Sequence, residues 1–124
     1  MSRPAGMSRQ EYSESIGRQM AEVAKLTPKR VAIMSRIREL IPLGGPPRVA
    51  EIAYTLPYKK QSLYEALSEM DHQSLVVRYP PKFTWVNDKF VYYNSNPKGN
   101  VVRWALSEIG DRRLTEWYLN KRRA

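Results

Sequence analysis

The chain has 124 residues, no cysteine and a single histidine, and its acidic residues fall well short of its basic ones. Without cysteine there are no disulfides, no thiolate metal sites and no thiol catalysis, and an intracellular location is the default expectation. No apolar run approaches the ~20 residues that a membrane-spanning helix needs, so no membrane partner is expected. Arg3 and Arg9 have no apolar stretch behind them, which is not the pattern of a secretory signal. Paired carboxylates, a metal-ligand cluster and a nucleophile with an adjacent base are all missing. The expectation is a protein that is not an enzyme and carries no cofactor. His72 stands alone near the end of a helical pattern and reads as a surface or helix-capping group.

What the chain does have is positive charge. Its net charge is +9 and its pI is near 10, which points to a polyanionic partner. The excess is uneven. Residues 75–106 carry five basic side chains and one acidic one, the largest imbalance along the chain. The apolar share of 42% is ordinary, so a real core is possible in one domain of ordinary size.

Residues 49–78 organise the rest. Val49, Ile52, Ala53 and Leu56 recur at three and four residues and line one side of a short helix. Pro57 breaks that pattern, because proline has no N–H and crowds the residue before it. The period restarts with Leu63, Ala66, Leu67 and Met70, a second helix that runs out near Gln73. Its opposite side holds Gln61, Glu65, Ser68 and His72, flanked by Ser62 and Tyr64. Leu75, Val76, Val77 and Tyr79 then read as a strand.

Two short helices, a tight turn and a strand resemble the winged helix-turn-helix DNA-binding superfamily, closest to the MarR-like and PadR-like regulators. The residues that carry the resemblance are Val49, Glu51, Ile52 and Ala53, then Leu56, then Leu63, Ala66 and Leu67. Met70 and the run Leu75, Val76 and Arg78 complete it. Leu106, Ser107, Glu108 and Gly110 are similar to the junction that leads from the wing into the last helix of these families. Where the families often have Gly at the turn and Ser or Thr as a cap, this chain has Pro57 and Lys59, and Lys59 cannot cap with a side-chain oxygen. The resemblance implies a mainly α fold with a small antiparallel β wing (α+β), and extra N- and C-terminal helices. It also implies dimerisation through terminal helices.

The remaining segments fit around this unit. Residues 1–7 have no period and are expected to be mobile; residues 8–124 form the domain. Over 8–26, Ser8 and Glu11 suit a capping box, and Tyr12, Ile16, Met20, Val23 and Leu26 give an amphipathic helix. Its apolar side can fold back on the domain or meet a second subunit. Thr27 and Pro28 start the next helix, with Val31, Met34, Ile37 and Ile41 inward; it is expected to end before Pro42. PLGGPP (42–47) reads as a connector, without the Lys-Ser/Thr of a phosphate loop.

Residues 75–106 are the expected wing, with a turn at Asn87–Asp88 and another at 94–100. They read as a strand pair with an enlarged connection, or as a three-stranded sheet. Basic residues alternate there with Trp85, Tyr92, Tyr93 and Trp104. That mixture suits phosphate and minor-groove contact, or single strands whose bases stack on rings, or simple packing of the wing on the body. Ser107 caps the last helix (107–122), whose apolar side is Ile109, Leu114, Trp117 and Tyr118.

The expected function is sequence-specific binding of double-stranded DNA by a homodimeric, nucleoid-associated cytoplasmic regulator of transcription. A partition or replication-origin protein, or a protein-interaction module, would use the same fold. Base-reading candidates are Lys59, Lys60, Gln61, Ser62 and Tyr64, and Ser68 on the same helix is a further DNA-binding candidate. Phosphate-binding candidates on the wing are Arg78, Lys82, Lys89, Lys98 and Arg103.

Overall fold

The computed structural model describes residues 3–92 and 102–123. The fold is α+β, with five helices and two small two-stranded antiparallel sheets. The elements run α1 (Arg9–Val23), α2 (Pro28–Gly44), α3 (Val49–Ala53), α4 (Lys60–His72), β1 (Val76–Tyr79), β2 (Phe83–Val86), β3 (Lys89–Tyr92), β4 (Arg103–Leu106) and α5 (Glu108–Arg123).

The core is built from α2, α4, β1, β4 and α5. Val31, Ile33, Met34 and Ile37 of α2 meet Ile52 of α3 and Leu63, Leu67 and Met70 of α4, all buried, as the helical spacing requires. Trp104 of β4 and Leu114 of α5 close the cluster and are fully buried. α2 is anchored to its neighbours by arginines. Arg30 pairs with Glu69 at 2.9 Å and donates to Gln73 Oε1 at 2.6 Å. Arg38 donates to the Asp111 carboxylate and carbonyl and to Thr115 Oγ1.

Several expected boundaries move. α2 runs through Pro42 to Gly44 rather than stopping before the proline. So close to the end, the missing N–H removes a single helical bond. Gly45 then stops the helix at φ 81°, where glycine has no steric penalty, and its N–H reaches Ile41 O at 2.8 Å. α3 is only five residues long; Leu56 lies in the turn that follows, half-buried against the core. On α5, Leu114 is buried but Tyr118 is exposed, its hydroxyl bonded to Ser35 Oγ.

α1 folds back on its own domain, with Tyr12, Ile16, Met20 and Leu26 half-buried as their spacing suggests, but small residues share the contact. Val23 is 83% exposed, while Ala21 and Ala24 are buried. A Cβ added at Gly17 would come within 2.9 Å of Ser74 Oγ. Small residues four and three apart let the α1 backbone approach the body closely, and that geometry turns Val23 outward. Arg113 of α5 seals the contact by donating to the carbonyls of Ala21 and Ala24.

The strands form a pair with an enlarged connection. β1 and β4 pair from Val76↔Leu106 to Tyr79↔Arg103. An isolated bridge, Arg48↔Arg103, and the bond from Trp104 N–H to Pro47 O bring the residues before α3 against the other edge of β4. Between them, β2 and β3 make a separate hairpin, Phe83↔Tyr92 to Val86↔Lys89. Its turn residues Asn87 and Asp88 have φ of 50° and 60°, the left-handed pair that a two-residue hairpin turn demands and that Asn and Asp tolerate.

Candidate nucleic-acid interface

α4 divides cleanly by side. Leu63, Leu67 and Met70 are fully buried, while Lys59, Lys60, Gln61, Tyr64 and Glu65 are exposed. The first turn has no side-chain cap: Lys59 sits at the cap position, and no side-chain oxygen bonds the first N–H groups. This end of the helix therefore keeps free donors, positive dipole and two lysines together. Gln61 Nε2 donates to Glu65 Oε1 at 3.1 Å, one turn on, which holds the amide along the helix surface. Tyr64 rests edge-on to buried Trp104, ring centroids 6.2 Å apart, so its position is set by the core.

Ser62 is less available than its place on the helical wheel suggests. It is half-buried and takes a hydrogen bond from Lys29 Nζ. Lys29 also lies over the Tyr58 ring, 5.1 Å from its centroid. Nothing in the sequence hints that Lys29 belongs here, because it stands 33 residues before Ser62 on another helix. It adds a third cation beside the α4 N-terminus.

The wing candidates do not converge. Arg78 is half-buried, with Nη1 donating to Pro80 O. Arg103 is half-buried, with Nη1 donating to Pro46 O at 2.9 Å. Both hold backbone carbonyls of neighbouring loops. Lys82 and Lys89 are exposed. The hairpin register, however, puts Lys89 with Val86 on one face, and Phe83, Trp85, Phe90 and Tyr92 on the other. Lys98 lies outside the described residues.

The aromatic face of the hairpin roofs a cleft of about 740 Å³. Its other walls include Ser13 and Met20 of α1, Ser68 and His72 of α4, and Val77 of β1. Ser68 thus opens onto the cleft and is half-buried. Asp71 sits at the same wall, and burial pushes its carboxyl above the usual range against the pull of Lys82, Arg78 and His72.

The tip of the hairpin is docked on α1. The Asp88 carboxylate accepts from the N–H groups of Gln10 at 2.9 Å and Arg9 at 3.0 Å. Ser8 Oγ takes the next, from Glu11, at 3.1 Å. The first-turn donors of α1 are therefore satisfied partly by a residue far along the chain. The two backbone bonds, Gln10 first, hold the Asp88 carboxyl below its ordinary range, with Arg3 assisting at 3.8 Å.

No group of three or more metal-ligating side chains occurs among the described residues, and no helix there is long and apolar enough to cross a membrane. Comparison with models of known families, with curated proteins and with solved structures finds no match to this chain.

Proposed function

We propose that the chain is a winged helix-turn-helix protein that binds specific double-stranded DNA and regulates transcription, with α4 as its reading helix. The order of α2, α3, α4, β1, β4 and α5 supports this, as does the residue before α3 bridged to the outer edge of β4. The observation that carries the reading is the outer side of the first two turns of α4. Lys59, Lys60, Gln61 and Tyr64 stand exposed and uncapped on a helix whose other side is locked in the core.

In this reading the N-terminal end of α4 enters the major groove. Gln61, released from Glu65, offers its amide to adenine; Lys60 reaches guanine O6/N7 or a phosphate; Tyr64 meets a phosphate or a thymine methyl. Lys29 and Lys59 neutralise phosphates on either side of the groove, and Lys82 does so from the base of the hairpin. The same reading includes a homodimer. Exposed Tyr118 and Leu119 on α5 support the C-terminal helix as its contact.

Selection from random duplexes, followed by footprinting, yields the site. Replacing Lys60, Gln61 and Tyr64 by Ala together then removes site preference, at about 1–3 kcal/mol for each base no longer read, without unfolding the chain. Binding of the parent falls steeply with salt as counterions are released. A triple variant that holds the selected site as tightly as the parent does would show that α4 is not the reading helix. A salt-independent affinity would instead favour a protein partner.

A further inference from the structure

We propose that the aromatic face of the β2–β3 hairpin, with the cleft beneath it, binds unpaired nucleotides of single-stranded DNA. This goes beyond the duplex reading and uses a different surface from the outer side of α4, with Lys82 assigned to both. The register collects Phe83, Trp85, Phe90 and Tyr92 on one side of the hairpin. Phe83 and Phe90 are already stacked, centroids 4.1 Å apart at 27°, and Tyr92 and Trp85 meet Phe90 edge-on. Yet these rings are not consumed by packing. Phe83 is 39% exposed, Phe90 43% and Tyr92 66%. Aromatic faces presented to solvent along a cleft are a stacking platform for bases, and every base has a π-face to offer.

The cleft volume, about 740 Å³, lies within the range of roughly 300–1,000 Å³ that holds small organic ligands, so it admits bases but not a duplex. Its charges are sorted in the same sense. Exposed Lys82 adjoins Phe83 at the edge, where a phosphate would lie. Glu14 and Asp71 also line the cleft and disfavour phosphate beside them. Ser13 and Ser68 supply hydroxyls for base edges. Arg78 also lines the cleft, its Nε buried and without a hydrogen-bond partner among the described residues.

The test uses the full chain and fluorescence anisotropy with two labelled strands of about ten nucleotides, within the usual span of such sites. One is oligo-dT and the other is an abasic strand of equal charge. Oligo-dT is expected to bind about tenfold or more tighter than the abasic strand. Tyr92→Ala and Phe90→Ala should each weaken oligo-dT binding about tenfold and leave the abasic strand unaffected. Tyr92 is mostly exposed, so its variant remains folded even if Phe90→Ala does not. Lys60→Ala with Gln61→Ala should weaken the selected duplex and spare oligo-dT, which separates failure of this inference from failure of the duplex reading. Equal binding of the two strands, or a Tyr92→Ala variant that holds oligo-dT like the parent, overturns the proposal.

Discussion

The two strand pairs of this molecule have the same size and opposite fates. Each is antiparallel, and each strand is four residues long. β1 and β4 are part of the body: Val76 and Trp104 are buried, and β4 is held on both edges. In the β2–β3 hairpin every residue is half-buried or exposed, and β3 is exposed along its whole length. The hairpin contributes little to the core, and its tip is tied to α1 by the Asp88 carboxylate, which accepts from two backbone N–H groups of that helix. A two-stranded ribbon is marginal by itself. The β1–β4 pair is stable because the core holds it. The hairpin keeps its shape through its own aromatic cluster and its turn, which leaves its surface free for contact.

The difference is tested hardest at the junction that closes β1 and β4. Leu75 O accepts from both Ser107 N–H and Ser107 Oγ, and Ser107 Oγ accepts from Gly110 N–H. A Cβ on Gly110 would fall 2.0 Å from that same carbonyl oxygen. Gly110→Ala is therefore expected to cost about 3 kcal/mol or more, because backbone must move to make room. Urea denaturation followed by circular dichroism measures it. A variant with an unchanged midpoint would mean that the junction is looser than its bond lengths indicate.

Trp104 gives an effect of comparable size. It is fully buried in the body, yet its indole N–H has no partner among the described residues. Trp104→Ala should destabilise by about 3–5 kcal/mol through the cavity it leaves. Trp104→Phe should cost far less, about 1 kcal/mol, since it also removes a buried donor without a partner among the described residues. An equal loss in both variants would locate an unseen role for the N–H. By contrast, Tyr92→Ala in the exposed hairpin should leave global stability within about 0.5 kcal/mol of the parent.

Local chemistry made much of this legible in advance. The burial of Leu63, Leu67 and Met70 follows from their spacing, and so does the exposure of Gln61 and Glu65 across the helix. Asn87–Asp88 announced the hairpin turn, and Ser107 its helix cap. What could not be read is what depends on distant partners. Nothing local to Arg78 or Arg103 says that each will hold a proline carbonyl rather than face solvent. Nothing local to Lys29 places it beside Ser62. Periodicity also misplaced Val23 of α1, because it counts large apolar residues; Leu26 packs on the core as its spacing suggests, but Gly17, Ala21 and Ala24 share the contact.

Asp88 belongs to both halves of the comparison: it shapes the exposed hairpin and anchors it to the body. Asp88→Ala should leave the melting temperature of the domain nearly unchanged, because the core packing stays intact, while the hairpin amides of residues 84–92 exchange with solvent faster. The same loosening can be produced by acid. The carboxyl of Asp88 is depressed by the Gln10 and Arg9 N–H groups, so the folded state favours its ionised form. Its contribution is complete above the unfolded carboxylate value, near pH ~4, and fades as the pH falls further through the depressed folded value. The indole resonance of Trp85, half-buried on the cleft face of the hairpin, reports this in a titration from neutral pH downward. The parent should show a step at the acid end, and Asp88→Asn should lack that step. If Asp88→Asn follows the parent through the whole titration, the tip is held by something other than this carboxylate, and the boundary between displayed hairpin and packed sheet has to be drawn elsewhere.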